Sequence, residues 1–393
     1  MAKGRDRWNL LDLGAVHRVV VKLGSSTLTH PRRGLREEVI GEVAEQVATL
    51  AESNGLAFVV VSSGAIASGR KALGLTGRPS LAQKQAAAAV GQPALMEAWS
   101  RALGRRGLRV GQVLLAHEDF ADRRRFVNAR NTFETLIASG VVPVVNENDT
   151  VATAEIRLGD NDHLAALVSH LVGADLLVLL TDSDGLYTAD PHQDPLAVRV
   201  PVLERIDDAV LARAHGTRNG SPGTGGMAAK LQAARLAASC GVPVVIAKGD
   251  AERCLEEILA GDDVGTLVLP GRGARPHGRK LWIAAAGRVR GTLTVDEGAA
   301  KALREEGRSL LPAGITAVSG DFRSGDLVTV LDPEGRPIAR GVTGWSSRAV
   351  AWGMGRRTAD LPDLAAMGLE PEVIHRDDLT GLPGSDDAQG GPA

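Results

Sequence analysis

Short uninterrupted runs of Val, Leu, Ile and Ala recur through the first two thirds of the chain, and polar residues, glycine or serine follow each one. Residues 19–23, 57–62, 109–115, 141–145, 176–180 and 242–247 have this form. A run without polar alternation predicts a strand buried on both faces. Between the runs the apolar period changes to that of a helix. Over 36–53 it places Val39, Ile40, Val43, Val47, Leu50 and Ala51 on one face, and 228–239 is a second helical stretch. Strands alternating with helices predict an α/β fold: a three-layer α/β/α arrangement around a mostly parallel sheet. In such sheets ligands gather beyond the carboxyl ends of the strands, where the polar and glycine-rich segments of this chain fall.

The pattern changes near residue 270. The stretch PGRGARPHGRK at 270–280 is dense in Pro, Gly and Arg and predicts a linker at 271–279. Beyond it, strand-like pieces at 280–284, 291–295, 326–330, 337–340 and 349–352 alternate with turns such as Glu334-Gly335, and one helix is predicted near 297–307. The expected division is a first domain over 14–270, a small β-rich domain over 280–376 and a disordered tail over 377–393.

Composition narrows the classes. A chain of 393 residues suits two domains. Hydrophobic residues at 44% and charged residues at 23% are those of globular protein, and a net charge of −2 gives no general pull toward nucleic acid or anionic membrane. Aromatics at 3% are too sparse for base-stacking platforms. Two cysteines, Cys240 and Cys254, are too few for a disulfide framework and read as buried thiols in a reducing compartment. The first residues lack a signal-peptide stretch, and no apolar run is long enough to span a membrane. A cytoplasmic location is expected.

Five segments carry chemistry. In VVVKLGSS (19–26), Lys22 closes a buried strand and glycine lets backbone N–H groups approach a phosphate. In VSSGAIASG (61–69), small residues lead from a strand into a helix N-terminus, an arrangement that suits an anion or simply a tight turn. VNENDTVATAEIRLGDNDHLAAL (145–167) crowds Asn146, Glu147, Asn148, Asp149, Asp160, Asn161 and Asp162 beside an apolar strand, which suits an amino acid's ammonium, the orienting of lysines, or a magnesium ion. LLTDSDGLYTADP (179–191) places Thr181 and Asp182 at a strand end. SPGTGGMAAKLQAA (221–234) opens a glycine loop into a helix carrying Lys230 one turn inside. No GxxxxGK[ST] occurs, so the chain has no Walker A loop.

Taken in this order, VVKLGSS, SSGAIASGR, NENDTVATAEIRLGDND, LLTDSDGLYTADP and GTGGMAAKLQAA resemble the amino acid kinase family, and within it the branch acting on glutamate. VDEGAAKALREEGRSLLPAGI (295–315) resembles the PUA domain appended in that branch, and the resemblance spans about residues 17–375. It implies transfer of the γ-phosphoryl group of ATP, with Mg²⁺, to the side-chain carboxylate of L-glutamate, the first step toward proline. It also implies inhibition by proline, a downstream glutamyl phosphate reductase and a homo-oligomer. Lys22 and Lys230 would hold the phosphates and the transferring group, and Asp162 would position both lysines. Thr181, Asp182 and the loop Thr224, Gly225, Gly226, Met227, Ala228, Ala229 and Lys230 would hold the nucleotide. Ser63, Asp149 and Asn161 would bind glutamate, with no metal ligand assigned. Ala228 and Ala229 stand where relatives often carry hydroxyl residues, which leaves backbone contacts to phosphate there. Proline inhibition is expected within 119–157, including Asp119 and Glu155. Two other readings remain open: a sibling kinase for another carboxylate, and RNA binding through the second domain. Residues 279–357 hold 13 Lys/Arg against 8 Asp/Glu, about +5, a modest footprint for phosphate backbones, so no primary nucleic-acid role is expected.

Overall fold

The computed structural model describes residues 11–30, 34–116, 119–120, 122–151, 161–191, 193–216, 226–270, 289–361, 364 and 367–382. The chain forms two compact units, one of residues 1–119 and 124–273 and the other of 120–123 and 274–393. The predicted linker at 271–279 and strand at 280–284 lie outside the described residues.

The first unit is built on strands β1 (Arg18–Leu23), β2 (Thr29–His30), β3 (Gly34–Leu35), β4 (Ala57–Ser62), β5 (Arg109–Leu115), β6 (Val141–Glu147), β7 (Leu176–Thr181), β8 (Val202–Leu203), β9 (Val244–Lys248) and β10 (Thr266–Val268). Eight form one sheet in the order β5-β6-β4-β1-β7-β9-β10-β8, and β2 and β3 form a separate hairpin. Every neighbouring pair in the large sheet is parallel except β9 with β10. The predicted α/β sheet is therefore present, and its central strands are apolar on both faces because helices cover both. From β1 the chain steps to β4, builds β5 and β6 beyond it, and then crosses to β7 on the other flank of β1. Strand order thus reverses at β1, where open sheets of this kind place their ligands.

Helix formation follows local signals. Glu37–Asn54 turns Val39, Ile40, Val43, Val47 and Leu50 into the core and stops at Gly55, whose φ of 67° is left-handed. Leu81–Gly104 starts at a capping box, with Gln83 N–H donating to Ser80 Oγ and Ser80 N–H donating to Gln83 Oε1. This helix meets Ala65–Ala72 backbone against backbone. A Cβ on Gly69 would lie 1.8 Å from the Ala87 carbonyl oxygen, and one on Gly91 would lie 1.9 Å from that of Ala65. Gly91→Ala should therefore cost about 1–3 kcal/mol of stability. Gly104→Ala, in the same helix with nothing within 4 Å, should be neutral or slightly stabilising. Thermal melts of the two variants check this; equal melting temperatures would remove the close crossing as a constraint.

The second unit is a five-stranded sheet in the order β12-β11-β13-β14-β15, made of β11 (Val289–Val295), β12 (Ile315–Gly320), β13 (Leu327–Leu331), β14 (Pro337–Val342) and β15 (Leu379–Gly381). Its core gathers Leu293, Val328, Val330, Phe322 and Trp345. The buried carboxylate of Asp332 accepts from Arg304, from the Arg336 side chain and from the Arg336 backbone N–H. Two expectations are corrected here. Residues 349–352 lie within a helix, Ser347–Gly353, because Ser346 Oγ accepts from Ala349 N–H and caps it, and four apolar residues cannot by themselves distinguish a strand from a helical turn. The expected tail at 377–393 is not wholly unstructured: β15 pairs with β14 inside it, while 383–393 lie outside the described residues.

Candidate active site

Register places the site. In the parallel stack β6-β4-β1-β7-β9, Val61 lies beside both Val145 and Lys22, Leu179 beside Lys22, and Thr181 beside Lys248. The carboxyl ends of five strands therefore bring Asn146, Ser62-Ser63, Lys22-Leu23-Gly24, Thr181-Asp182 and Lys248 to one edge.

Strand alternation aims Lys22. Val19, Val21 and Leu23 join the core that includes the Glu37–Asn54 helix, so Val20 and Lys22 belong to the opposite face, on which the helix Asn161–Leu171 packs. That helix presents Asp162 in its first turn. Beside it packs the helix Met227–Ser239, whose buried face includes Lys230. The three side chains meet. Lys22 Nζ lies 2.5 Å from Asp162 Oδ1, and Lys230 Nζ lies 3.1 Å from Asp162 Oδ2. Asp162 is only 2% exposed, with Lys22 at 4% and Lys230 at 7%. Burial alone would push the Asp162 carboxyl up, but the two ammonium groups hold it below its ordinary value. One buried carboxylate facing two lysines leaves the cluster one positive charge in excess, so it attracts an anion. The backbone allows a close approach here: a Cβ on Gly24 would stand 3.3 Å from Lys22 Nζ. Gly226 precedes the Lys230 helix in extended conformation, so first-turn N–H groups add to the positive field.

A second polar group lies beside the first. Asn161 Nδ2 donates to Ser63 Oγ at 2.8 Å and to Asn146 Oδ1 at 2.9 Å, and Asn146 Nδ2 donates to Gln92 Oε1 at 2.9 Å. Ser62 is fixed by Trp99, whose Nε1 donates to its hydroxyl at 2.8 Å. Asp149 follows β6 in a turn and is 6% exposed. Burial, with the Glu147 charge adding and Lys84 opposing, pushes its carboxyl up to about 7.

Of the residues expected from sequence, Lys22 and Lys230 both contact Asp162, and Ser63 and Asn161 are bonded to each other. Thr181 ends β7 with its hydroxyl on Asp182, 2.9 Å away. Met227, Ala228 and Ala229 form the first turn of the Lys230 helix, and Thr224 and Gly225 lie outside the described residues. Asp119 accepts from Ala116 N–H and pairs with Arg125, while Glu155 lies outside the described residues. Sequence reasoning missed Gln92 altogether and singled out Asn146 only as one of a crowd. No group of three His, Cys, Asp or Glu side chains among the described residues could hold a metal ion.

Residues 17–248 match the model of the amino acid kinase family, and 291–363 match that of the PUA domain. The glutamate 5-kinase of Pseudomonas entomophila is 47% identical over 92% of this chain and 97% of its own length. The chain belongs to the amino acid kinase family, in its glutamate 5-kinase branch. The glutamate 5-kinase of Thioalkalivibrio sulfidiphilus is 48% identical over 93% of this chain and 97% of its own. A crystal structure of UMP kinase from Bacillus anthracis is 14% identical, covering 67% of this chain and 99% of that one with a TM-score of 0.45. The buried Lys22–Asp162–Lys230 cluster of this chain carries an excess positive charge, and the Ser63–Asn161 pair is neutral and polar.

Proposed function

We propose that this protein phosphorylates the γ-carboxylate of L-glutamate with ATP, giving L-glutamyl 5-phosphate and ADP. The observation that carries the reading is the buried Asp162 held between Lys22 and Lys230 at the carboxyl edge of the sheet. The acceptor carboxyl has an ordinary pKa of about 4.3 and is ionised at neutral pH, so the reaction needs no general base. Its obstacle is an anion approaching a polyanion. Lys22 and Lys230 offset that repulsion and stabilise charge on the transferring phosphoryl oxygens, and Asp162 keeps the two like-charged ammonium groups together. Thr181, Asp182 and the segment from Thr224 through Gly225, Gly226, Met227, Ala228 and Ala229 to Lys230 hold the nucleotide. Ser63, Asp149 and Asn161 hold glutamate, with Asp149 and Asn161 offering acceptors to its ammonium group.

Mg²⁺ enters this reading as the nucleotide's ion. It is ordinarily held by phosphates, waters and one or two carboxylates rather than by a protein cage, which fits a site where Asp162 is already taken by two lysines. Bound there it would neutralise phosphate charge, and no residue is assigned as its ligand. The reading extends to the first step of proline biosynthesis, feedback by proline within 119–157, hand-over of the acyl phosphate to a reductase, a homo-oligomer and a cytoplasmic location. Among the described residues no helix is long and apolar enough to cross a membrane.

A hydroxylamine trap tests the chemistry. Protein, ATP, Mg²⁺ and L-glutamate should yield γ-glutamyl hydroxamate, and proline should suppress it. Hydroxamate formed from aspartate or N-acetylglutamate but not from glutamate would keep a carboxylate kinase and reject this substrate.

A further inference from the structure

We infer that Gln92 is a positioning residue for the substrate's α-ammonium group: through Asn146 it fixes the Asn161 amide with its oxygen free as an acceptor. The inference rests on the glutamate reading above and adds a residue to it. The order of donors and acceptors along the chain of amides is set by one group that cannot reverse. The Glu147 backbone N–H can only donate, so the Asn146 atom 2.9 Å from it is an oxygen. That oxygen also receives Asn161, whose contacting atom is therefore nitrogen, and the same nitrogen reaches Ser63 Oγ at 2.8 Å. The other end of the Asn146 amide is then nitrogen, and Gln92 meets it with Oε1. Gln92 is 9% exposed, in the middle of the helix Leu81–Gly104, so its amide is held by packing.

Two acceptors are left over, and one donor, Gln92 Nε2. Asn161 Oδ1 is buried without a hydrogen-bond partner among the described residues, and so is Asp149 Oδ1. Buried acceptors without donors are costly unless a ligand supplies the hydrogens. An ammonium group carries three and has no acceptor of its own, so it complements them. A carboxylate or an acylated nitrogen does not. If Gln92 lost its oxygen, the Glu147 N–H would still set the polarity of the relay, but Asn146 Nδ2 would lose its acceptor and the amide that orients Asn161 would be held at one end instead of two.

The test uses the full chain and the hydroxylamine assay with two acceptors, L-glutamate and glutarate, which has the same reacting carboxylate and no α-ammonium. Gln92→Met keeps the length of the side chain and removes the acceptor; Gln92→Glu keeps an acceptor in either protonation state. Gln92→Met should raise KM for glutamate about 10- to 100-fold with kcat changed by about threefold or less. Turnover of glutarate should not change, so the preference for glutamate shrinks, and Gln92→Glu should restore it. Asn146→Ala, cutting the relay at its next link, should shift the preference the same way and keeps the test decisive where the Met variant does not fold. A lower melting temperature with an unchanged glutamate-to-glutarate ratio in the folded variants would overturn the inference and leave Gln92 a packing residue. Wild-type protein run in parallel separates the two claims: if it converts glutamate, the proposed activity stands whatever the variants do. If it forms hydroxamate from neither acceptor, the activity itself fails and the inference falls with it.

Discussion

Asp162→Asn should lower kcat by roughly 10²- to 10⁴-fold, with KM for ATP unchanged or lower. The kcat figure follows from misplacing one or both groups that stabilise transition-state charge, about 2.7–4 kcal/mol for one such group, at about 1.4 kcal/mol for each factor of ten. Asp162 is a stronger case than an ordinary pair because it serves two cations, one on each oxygen, with 2% of its surface exposed. An Asn side chain has one acceptor and one donor. It could still receive one lysine, but it would present N–H to the other, and two ammonium groups would then repel across a neutral spacer. Their common solution is to separate, one turning toward solvent or losing its proton. The phosphates of ATP would partly replace the missing negative charge, which is why nucleotide binding should survive while the alignment of the transferring group does not. Steady-state kinetics with calorimetry of ADP binding distinguishes these effects. Normal turnover in a folded variant would reduce Asp162 to a helix-start residue and remove the mechanism proposed for Lys22 and Lys230. Below pH 7 the wild-type pair should hold: with its carboxyl held below the ordinary value, Asp162 contributes stability that is present above the unfolded pKa and is lost only as pH falls through the lower, folded one.

How much of the fold and the site is legible in the sequence depends on the kind of signal. The strands Ala57–Ser62 and Arg109–Leu115 have the bounds predicted for them, because an apolar run closed by a polar or glycine signal is self-delimiting. The short strands Val202–Leu203 and Thr266–Val268 carry too few residues to show a period. Ile315–Gly320 was hidden for another reason: it is an edge strand with mostly exposed side chains, so burial did not shape its sequence. Lys22, Asp162 and Lys230 are 208 residues apart at the extremes, and no local pattern joins them; the expectation that they act together came from family resemblance. Gln92 was illegible because its helix is rich in alanine, which suits both faces and blurs the amphipathic stripe. Only once Ala88, Gly91, Leu95 and Trp99 are known to be buried does a Gln on that face become conspicuous.

Asp149 should show opposite effects on stability and on function. Its carboxyl is pushed from 3.8 to about 7, burial being the main cause. A carboxyl whose folded pKa is raised binds its proton more tightly in the folded state, so folding stability falls as pH rises from the unfolded value to the folded one. At about 1.4 kcal/mol per unit, the ionised group costs roughly 3–6 kcal/mol at pH 8. Asp149→Asn cannot ionise and should avoid that cost. Its melting temperature should match wild type near pH 4, gain on it through pH 5 to 7, and keep a constant lead above pH 7. Glutamate binding should move the other way. The ionised Asp149 is what the substrate's ammonium group meets in the proposed site, and a charged hydrogen bond of about 1.5–3 kcal/mol corresponds to a KM rise of roughly 10- to 150-fold in the variant. For the wild type, kcat/KM for glutamate should fall below about pH 7 as Asp149 takes up its proton. In Asp149→Asn that dependence should disappear, because the ammonium group of glutamate stays protonated across the range. A variant that is both more stable at pH 8 and weaker for glutamate would show a buried charge retained for its ligand. A variant that gains stability with an unchanged KM would keep the electrostatic cost and remove Asp149 from the glutamate site.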